Sequence, residues 1–228
     1  MSNIVDFKKP DNKDGPRKPK HPPLINLPLI TKILLIGMIS IHGVLHLILN
    51  QDDLVYAILN FGFIPSIWTG QGDYSFDLYA LFSPITYMGL HGGWMHLVMN
   101  SAMLMAFGAG AEQWMGAKKF LIFFIACGVA AVMVETIIHP LSQNPVIGAS
   151  GALSGLFAAV LILLQSRGQL PTGKYGIWPF ATFWIGISIV FAVVGGAFAG
   201  GQIAWAAHLG GFIAGFILLK MKYFKVPL

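Results

Sequence analysis

Apolar stretches near 26–49, 93–112, 119–138, 146–165, 177–196 and 203–221 dominate this 228-residue chain, each close to the ~20 residues that a helix needs to cross a bilayer core. Backbone N–H and C=O groups inside lipid must be satisfied within the protein, so stretches of this length imply helices packed as a bundle. Apolar residues make up 56% of the chain and charged residues only 10%, against roughly 25% charged in soluble domains. The expected class is all-α: a polytopic membrane protein with six transmembrane helices.

Charge placement puts that topology to a test it could fail. Cytoplasmic segments of membrane proteins carry the excess Lys and Arg. With the N-terminus cytoplasmic, Lys8, Lys9, Lys13, Arg17, Lys18 and Lys20 fall in the tail, Lys118 and Lys119 between the second and third stretches, and Arg167 and Lys174 between the fourth and fifth. Lys220, Lys222 and Lys225 follow the sixth, and Lys32 can snorkel back to the same side. All 14 basic residues then share one side, while Asp52, Asp53, Asp73 and Asp77 share the other. The net charge of +5 follows membrane orientation, and no nucleic-acid partner is expected.

Residues 1–24 have no apolar period and read as a disordered basic cytoplasmic tail without the h-region of a signal peptide. Residues 25–222 form the bundle, and 223–228 a short second cytoplasmic tail. The outer loop, about 51–90, is too aromatic for a solvated linker, so Tyr56, Trp68, Tyr74, Tyr79 and Tyr87 are expected to hold short helices against the outer leaflet. Cys127 stands alone in Phe-Phe-Ile-Ala-Cys-Gly and reads as a packing residue.

Two residues interrupt this apolar pattern with chemistry. Ser150 lies five residues past Pro145 and His208 six past Gln202, which puts both about 7–9 Å below the outer ends of their helices. Polar groups at such depth usually face an interior site. A serine becomes a nucleophile when a base takes its proton, and histidine is the usual base. No Asp or Glu lies on either helix, so the pair reads as a dyad without the third member of a triad. Gly151 and Gly155 on one helix, and Gly211 and Gly215 on the other, let the two backbones approach closely. His96 and Asn100, one turn apart on the second helix, and the backbone N–H groups from Gly148 to Ser150 are candidate donors to an oxyanion.

In Gly148-Ala149-Ser150-Gly151, Ala207-His208-Leu209-Gly210-Gly211 and the run from His91 to Asn100, the chain resembles the rhomboid intramembrane serine proteases over roughly residues 26–222. Three motifs in order on alternate helices carry that resemblance, and Glu112 ahead of Gly116 matches an acidic position at the cytoplasmic end of the second helix. The resemblance implies a serine endopeptidase that cleaves single-pass or other membrane proteins with unstable transmembrane helices, near the outer bilayer face. A bacterial inner membrane is the expected location, and no cofactor or metal is implied. Two positions depart from the family pattern: Phe82-Ser83 stands where Trp-Arg is frequent, and Ser154 stands where many bacterial members have a tyrosine stacked on the histidine.

Other readings compete. A membrane serine often bonds its own i−4 carbonyl. A noncatalytic relative would bind unstable transmembrane helices without cutting them. His42 and His46, at i and i+4, have a spacing seen in haem and metal ligation, with packing the plainer role. His91 and His96, five apart, are not expected to share a helix face. Glu135 either pairs with His139 or lines a water path.

Overall fold

The computed structural model describes residues 27–73, 75–170, 173–194, 204–221 and 223–224. The 1–24 tail, Tyr74, Gln202, Lys222 and Lys225 lie outside them. The chain enters through α1 (Leu29–Leu47). The segment 51–90 then folds into three short helices, α2 (Gln51–Phe61), α3 (Pro65–Thr69) and α4 (Leu78–Thr86), followed by a 3-10 turn at Tyr87–Gly89. Local signals set these boundaries: the Asn50 side chain accepts from Asp53 N–H, the Asp77 side chain from Ala80 N–H, and Pro65 opens α3. Pro84 inside α4 has no N–H for the carbonyl of Ala80, and the Ser83 hydroxyl takes that place at 2.7 Å.

The second apolar stretch is not one regular helix. It runs as α5 (Trp94–Met103), a π-helical turn at Leu104–Gly108 and α6 (Ala109–Met115), and it stops at Gly116, whose φ of 81° ends the helix. Next come α7 (Ala117–Ile138), α8 (Ser150–Ser166), α9 (Trp178–Val194) and α10 (Trp205–Lys220). Among the described residues α1 and α7 are long and apolar enough to cross a membrane alone, while α8, Trp178–Val190 and α10 are apolar but shorter.

Outward faces are apolar, with Ile36, Leu47, Met95, Val98, Ile137, Phe183 and Ile217 all exposed. Polar groups turn inward: His42, His91, Asn100, Glu112, Glu135 and Ser154 are buried. A surface this apolar suits lipid rather than water.

Glu112 shows why a carboxylate is tolerated inside. The N-cap of α1 is Pro28, which offers no side-chain acceptor. Glu112 supplies it across the bundle, accepting from Ile30 N–H at 2.9 Å, Thr31 N–H at 2.7 Å and the Thr31 hydroxyl at 2.8 Å. Orphan N–H groups and the positive end of the helix dipole thus meet one buried anion.

The segment 51–90 is tied down at several points. Phe63 and Val146 exchange backbone hydrogen bonds of 3.0 and 2.7 Å, and the Thr86 hydroxyl donates to Phe61 O at 2.7 Å. The indole of Trp68 reaches Ser83 Oγ at 3.4 Å, so the serine standing at a frequent arginine position anchors the loop by another bond. The expectation for Tyr87 fails: it is 1% exposed, and its hydroxyl donates to Gly128 O at 2.8 Å. Tyr56 and Tyr79 are exposed. The sequence pattern could not separate these tyrosines, because only the fold of the loop onto α7 sends one of them inward.

Candidate active site

The segment before α8 is extended rather than helical, since Val146 pairs with Phe63 and Gly148 holds a φ of 108°. α8 therefore begins at Ser150 itself, four residues later than the apolar stretch, and Ser150 is its first residue. Two consequences follow from that placement. The Ser150 N–H belongs to the first helical turn, where no intrahelical acceptor exists. Its hydroxyl makes no bond to its i−4 carbonyl, Val146 O, and meets the His208 ring instead.

His208, in the first turn of α10, lies with Nε2 2.7 Å from Ser150 Oγ. If the hydroxyl donates, Nδ1 carries the ring proton. That Nδ1 is buried and has no partner among the described residues. Among the described residues no acidic side chain contacts the Ser150–His208 pair as a third member. The other serine of this turn, Ser154, makes the back-bond instead: its hydroxyl donates to Ser150 O at 2.9 Å and accepts from the Trp184 indole at 3.3 Å.

Glycine permits the meeting of α8 and α10. A Cβ on Gly211 would overlap the Gly151 carbonyl, and one on Gly215 would lie 2.6 Å from Gly155 O. A Cβ on Gly155 would in turn lie 3.0 Å from Gly211 O. All four glycines named from spacing sit at this crossing, where backbone approaches backbone.

His96 faces the same corner. A Cβ on Gly148 would stand 2.7 Å from both Cε1 and Nε2 of His96. Nδ1 of His96 accepts a long 3.4 Å bond from Gly92 N–H, which leaves the ring proton on Nε2, toward Gly148. Gly148 itself is corrected as an oxyanion donor: its N–H is committed to Tyr87 O at 2.9 Å. Its positive φ turns that N–H away, and what it contributes is room for the His96 ring. Asn100 is buried, donates one amide hydrogen to His96 O at 2.9 Å, and leaves Oδ1 without a partner among the described residues.

The remaining histidines have structural contacts. His46 Nε2–H donates to His91 O at 3.2 Å, and the His42 ring lies 4.0 Å from His46 and 4.6 Å from Trp94. His91 and His96 come together, with rings 5.1 Å apart, because His91 sits in the turn before α5 and not on its helix. Among the described residues no three His, Cys, Asp or Glu side chains are arranged to hold a metal ion. Glu135 pairs with His139 Nδ1 at 2.7 Å and also accepts from Ala207 N–H at 2.9 Å. The second contact escapes sequence reasoning, since 72 residues separate the partners.

The family model described as the Rhomboid domain matches residues 78–223, more than half of the chain. This chain belongs to the rhomboid family. Its rhomboid match takes in Ser150, His208, His96, Asn100 and Gly148, while α1 with His42 and His46 precedes it. Rhomboid proteins are polytopic in the membrane, and the family includes intramembrane serine proteases. The chain is 31% identical over 142 residues to the Bacillus subtilis protein YdcA, named provisionally as a rhomboid protease, covering 62% of this chain. It is 31% identical over 134 residues to RHOMBOID-like protein 5 of Arabidopsis thaliana and 28% identical over 160 residues to the rhomboid protease GluP of Bacillus subtilis, covering 59% and 70% of this chain. Those alignments span 66%, 41% and 28% of the three relatives' own lengths.

Proposed function

We propose that the protein is an intramembrane serine endopeptidase. The observation that carries this reading is the 2.7 Å contact between Ser150 Oγ and His208 Nε2 in a bundle whose outer surface is apolar. Six spans, at α1, α5–α6, α7, α8, α9 and α10, with both termini cytoplasmic and the outer loop in the interface, put the dyad just under the outer face. A bacterial inner membrane suits that orientation.

His208 Nε2 takes the Ser150 proton as Oγ attacks a peptide carbonyl carbon. Charge develops on the carbonyl oxygen, to which the Ser150 N–H, His96 Nε2–H and the free Asn100 amide hydrogen donate. Collapse breaks the C–N bond, and the imidazolium of His208 gives its proton to the leaving amine. Water, deprotonated by His208, then hydrolyses the acyl-serine and frees the second product. Exposed Gln143 and Asn144 mark the water entry.

A helical substrate hides its carbonyls in i→i−4 hydrogen bonds, so the cut segment must unwind. Membrane proteins whose transmembrane helices carry helix-weakening residues near their outer end are the expected substrates.

Purified protein in detergent with a model transmembrane substrate tests the reading. Wild type cleaves, Ser150→Ala and His208→Ala do not, and a serine-reactive fluorophosphonate labels Ser150. A wild type that binds the substrate helix yet neither cuts it nor takes the label would make this a noncatalytic helix-binding rhomboid.

A further inference from the structure

The dyad has no hydrogen-bonded group behind its histidine, since Nδ1 of His208 is buried without a partner among the described residues. The ring therefore inherits its position from the backbone of α10. That helix starts without a cap of its own: its N-cap residue is Ala204, which has no side-chain acceptor. The N–H of Ala207, in the first turn and next to His208, donates instead to Glu135 Oε2 at 2.9 Å in a buried contact.

Glu135 is itself 5% exposed and uses both oxygens, the other at 2.7 Å from His139 Nδ1. A buried carboxylate survives when it is fully bonded. An ionised Glu135 can only accept, which puts a hydrogen on Nδ1 of His139. The His139 ring then stands edge-on to Trp205, the first residue of α10, with centroids 6.0 Å apart. The end of α7 thus grips the first turn of α10 at two points. The glycine crossing sets how near α10 comes to α8, but smooth glycine faces leave its axial register to other contacts.

We propose that Glu135 is the positioning residue of the base helix: its carboxylate caps the first turn of α10 and holds His208 in register with Ser150. The inference rests on the reading of His208 as the base, and it adds a residue to that site. A carboxylate at a helix N-terminus also complements the helix dipole.

The test uses the full chain and compares wild type, Glu135→Ala, Glu135→Gln and the double variant Glu135→Ala with Ala204→Asp. Amide hydrogen exchange over residues 204–210 is read beside kcat and KM for a transmembrane substrate. In Glu135→Ala the first turn of α10 exchanges about tenfold faster, the effect of a lost cap. Its kcat falls about 10- to 100-fold with KM unchanged, as expected for an ~1 Å misplacement of a reacting group. Gln keeps an acceptor for Ala207 N–H and recovers most of both, and Ala204→Asp recovers them from the N-cap position. His139→Ala, which removes one of the carboxylate's two bonds, gives the same signature at smaller amplitude if Glu135→Ala does not fold.

Unchanged exchange in both Glu135→Ala and His139→Ala overturns the inference. So does a loss of kcat that neither Gln nor Ala204→Asp recovers. A wild type that fails to cleave counts against the protease reading alone, and the exchange data still decide the cap.

Discussion

Gly148→Ala is the sharpest perturbation of the site. The added Cβ would stand 2.7 Å from Cε1 and Nε2 of His96, where ordinary contact begins at 3.4 Å, so the ring has to withdraw by about 0.7 Å. The backbone there holds a φ of 108°, a conformation that costs a non-glycine residue about 1–3 kcal/mol. Withdrawal takes Nε2–H away from the developing oxyanion, and loss of one such donor costs about 100- to 1000-fold in kcat. A partial shift of the ring predicts a loss near the lower end, about 100-fold. Single-turnover cleavage of a transmembrane substrate by wild type, Gly148→Ala, His96→Ala and the double variant forms the assay. Since both single changes remove the same donor, the second should cost little in the presence of the first. Losses that multiply across the cycle would show that Gly148 acts by some route other than His96, and the geometry argued for the oxyanion site would be wrong.

Other perturbations reach the fold and the dyad. Glu112→Ala leaves the first-turn donors of α1 unpaired inside the bundle and is expected to lower stability by about 2–4 kcal/mol, read as a lower midpoint in thermal unfolding in detergent; Glu112→Gln should fall between it and wild type. Gly211→Val forces α10 away from the Gly151 carbonyl, separates His208 from Ser150 and abolishes fluorophosphonate labelling; full labelling would contradict the crossing described above. On acidification His208 gains a proton and can no longer accept one from Ser150. Cleavage is therefore present on the alkaline side of its titration and lost below it, and a rate that climbs steadily into acid would contradict the role of base. Trp184→Phe removes the indole donor to Ser154 Oγ but keeps the ring that packs 4.5 Å from Phe157, so kcat should change by less than about tenfold.

Much of this architecture could be read from local sequence. Apolar runs of spanning length, punctuated by Gly, Pro and charged residues, fall where the helices are. The glycines at 151, 155, 211 and 215 lie at the crossing their spacing implies, and Ser150 and His208 meet. These features depend on residue type and helical period, which belong to a short window of chain.

Other features needed the fold. α8 starts at Ser150 only because Val146 is held extended by Phe63, 83 positions away in the sequence. Gly148 could be named as part of the site, yet its N–H goes to Tyr87 O, which no local pattern reveals. Glu112 could be placed at the end of the second helix and Glu135 beside His139, but that each also caps a helix start more than 70 residues distant came only from the fold. Tyr87 belonged by composition with the interfacial aromatics and packs inside. Sequence alone determined roughly where the long apolar helices run and which of their side chains share a face, because backbone hydrogen bonding in a helix closes within four residues. Tertiary structure decided which orphan N–H each carboxylate satisfies and which serine is left free to face a histidine, because those partners are chosen by helices packing across the bundle.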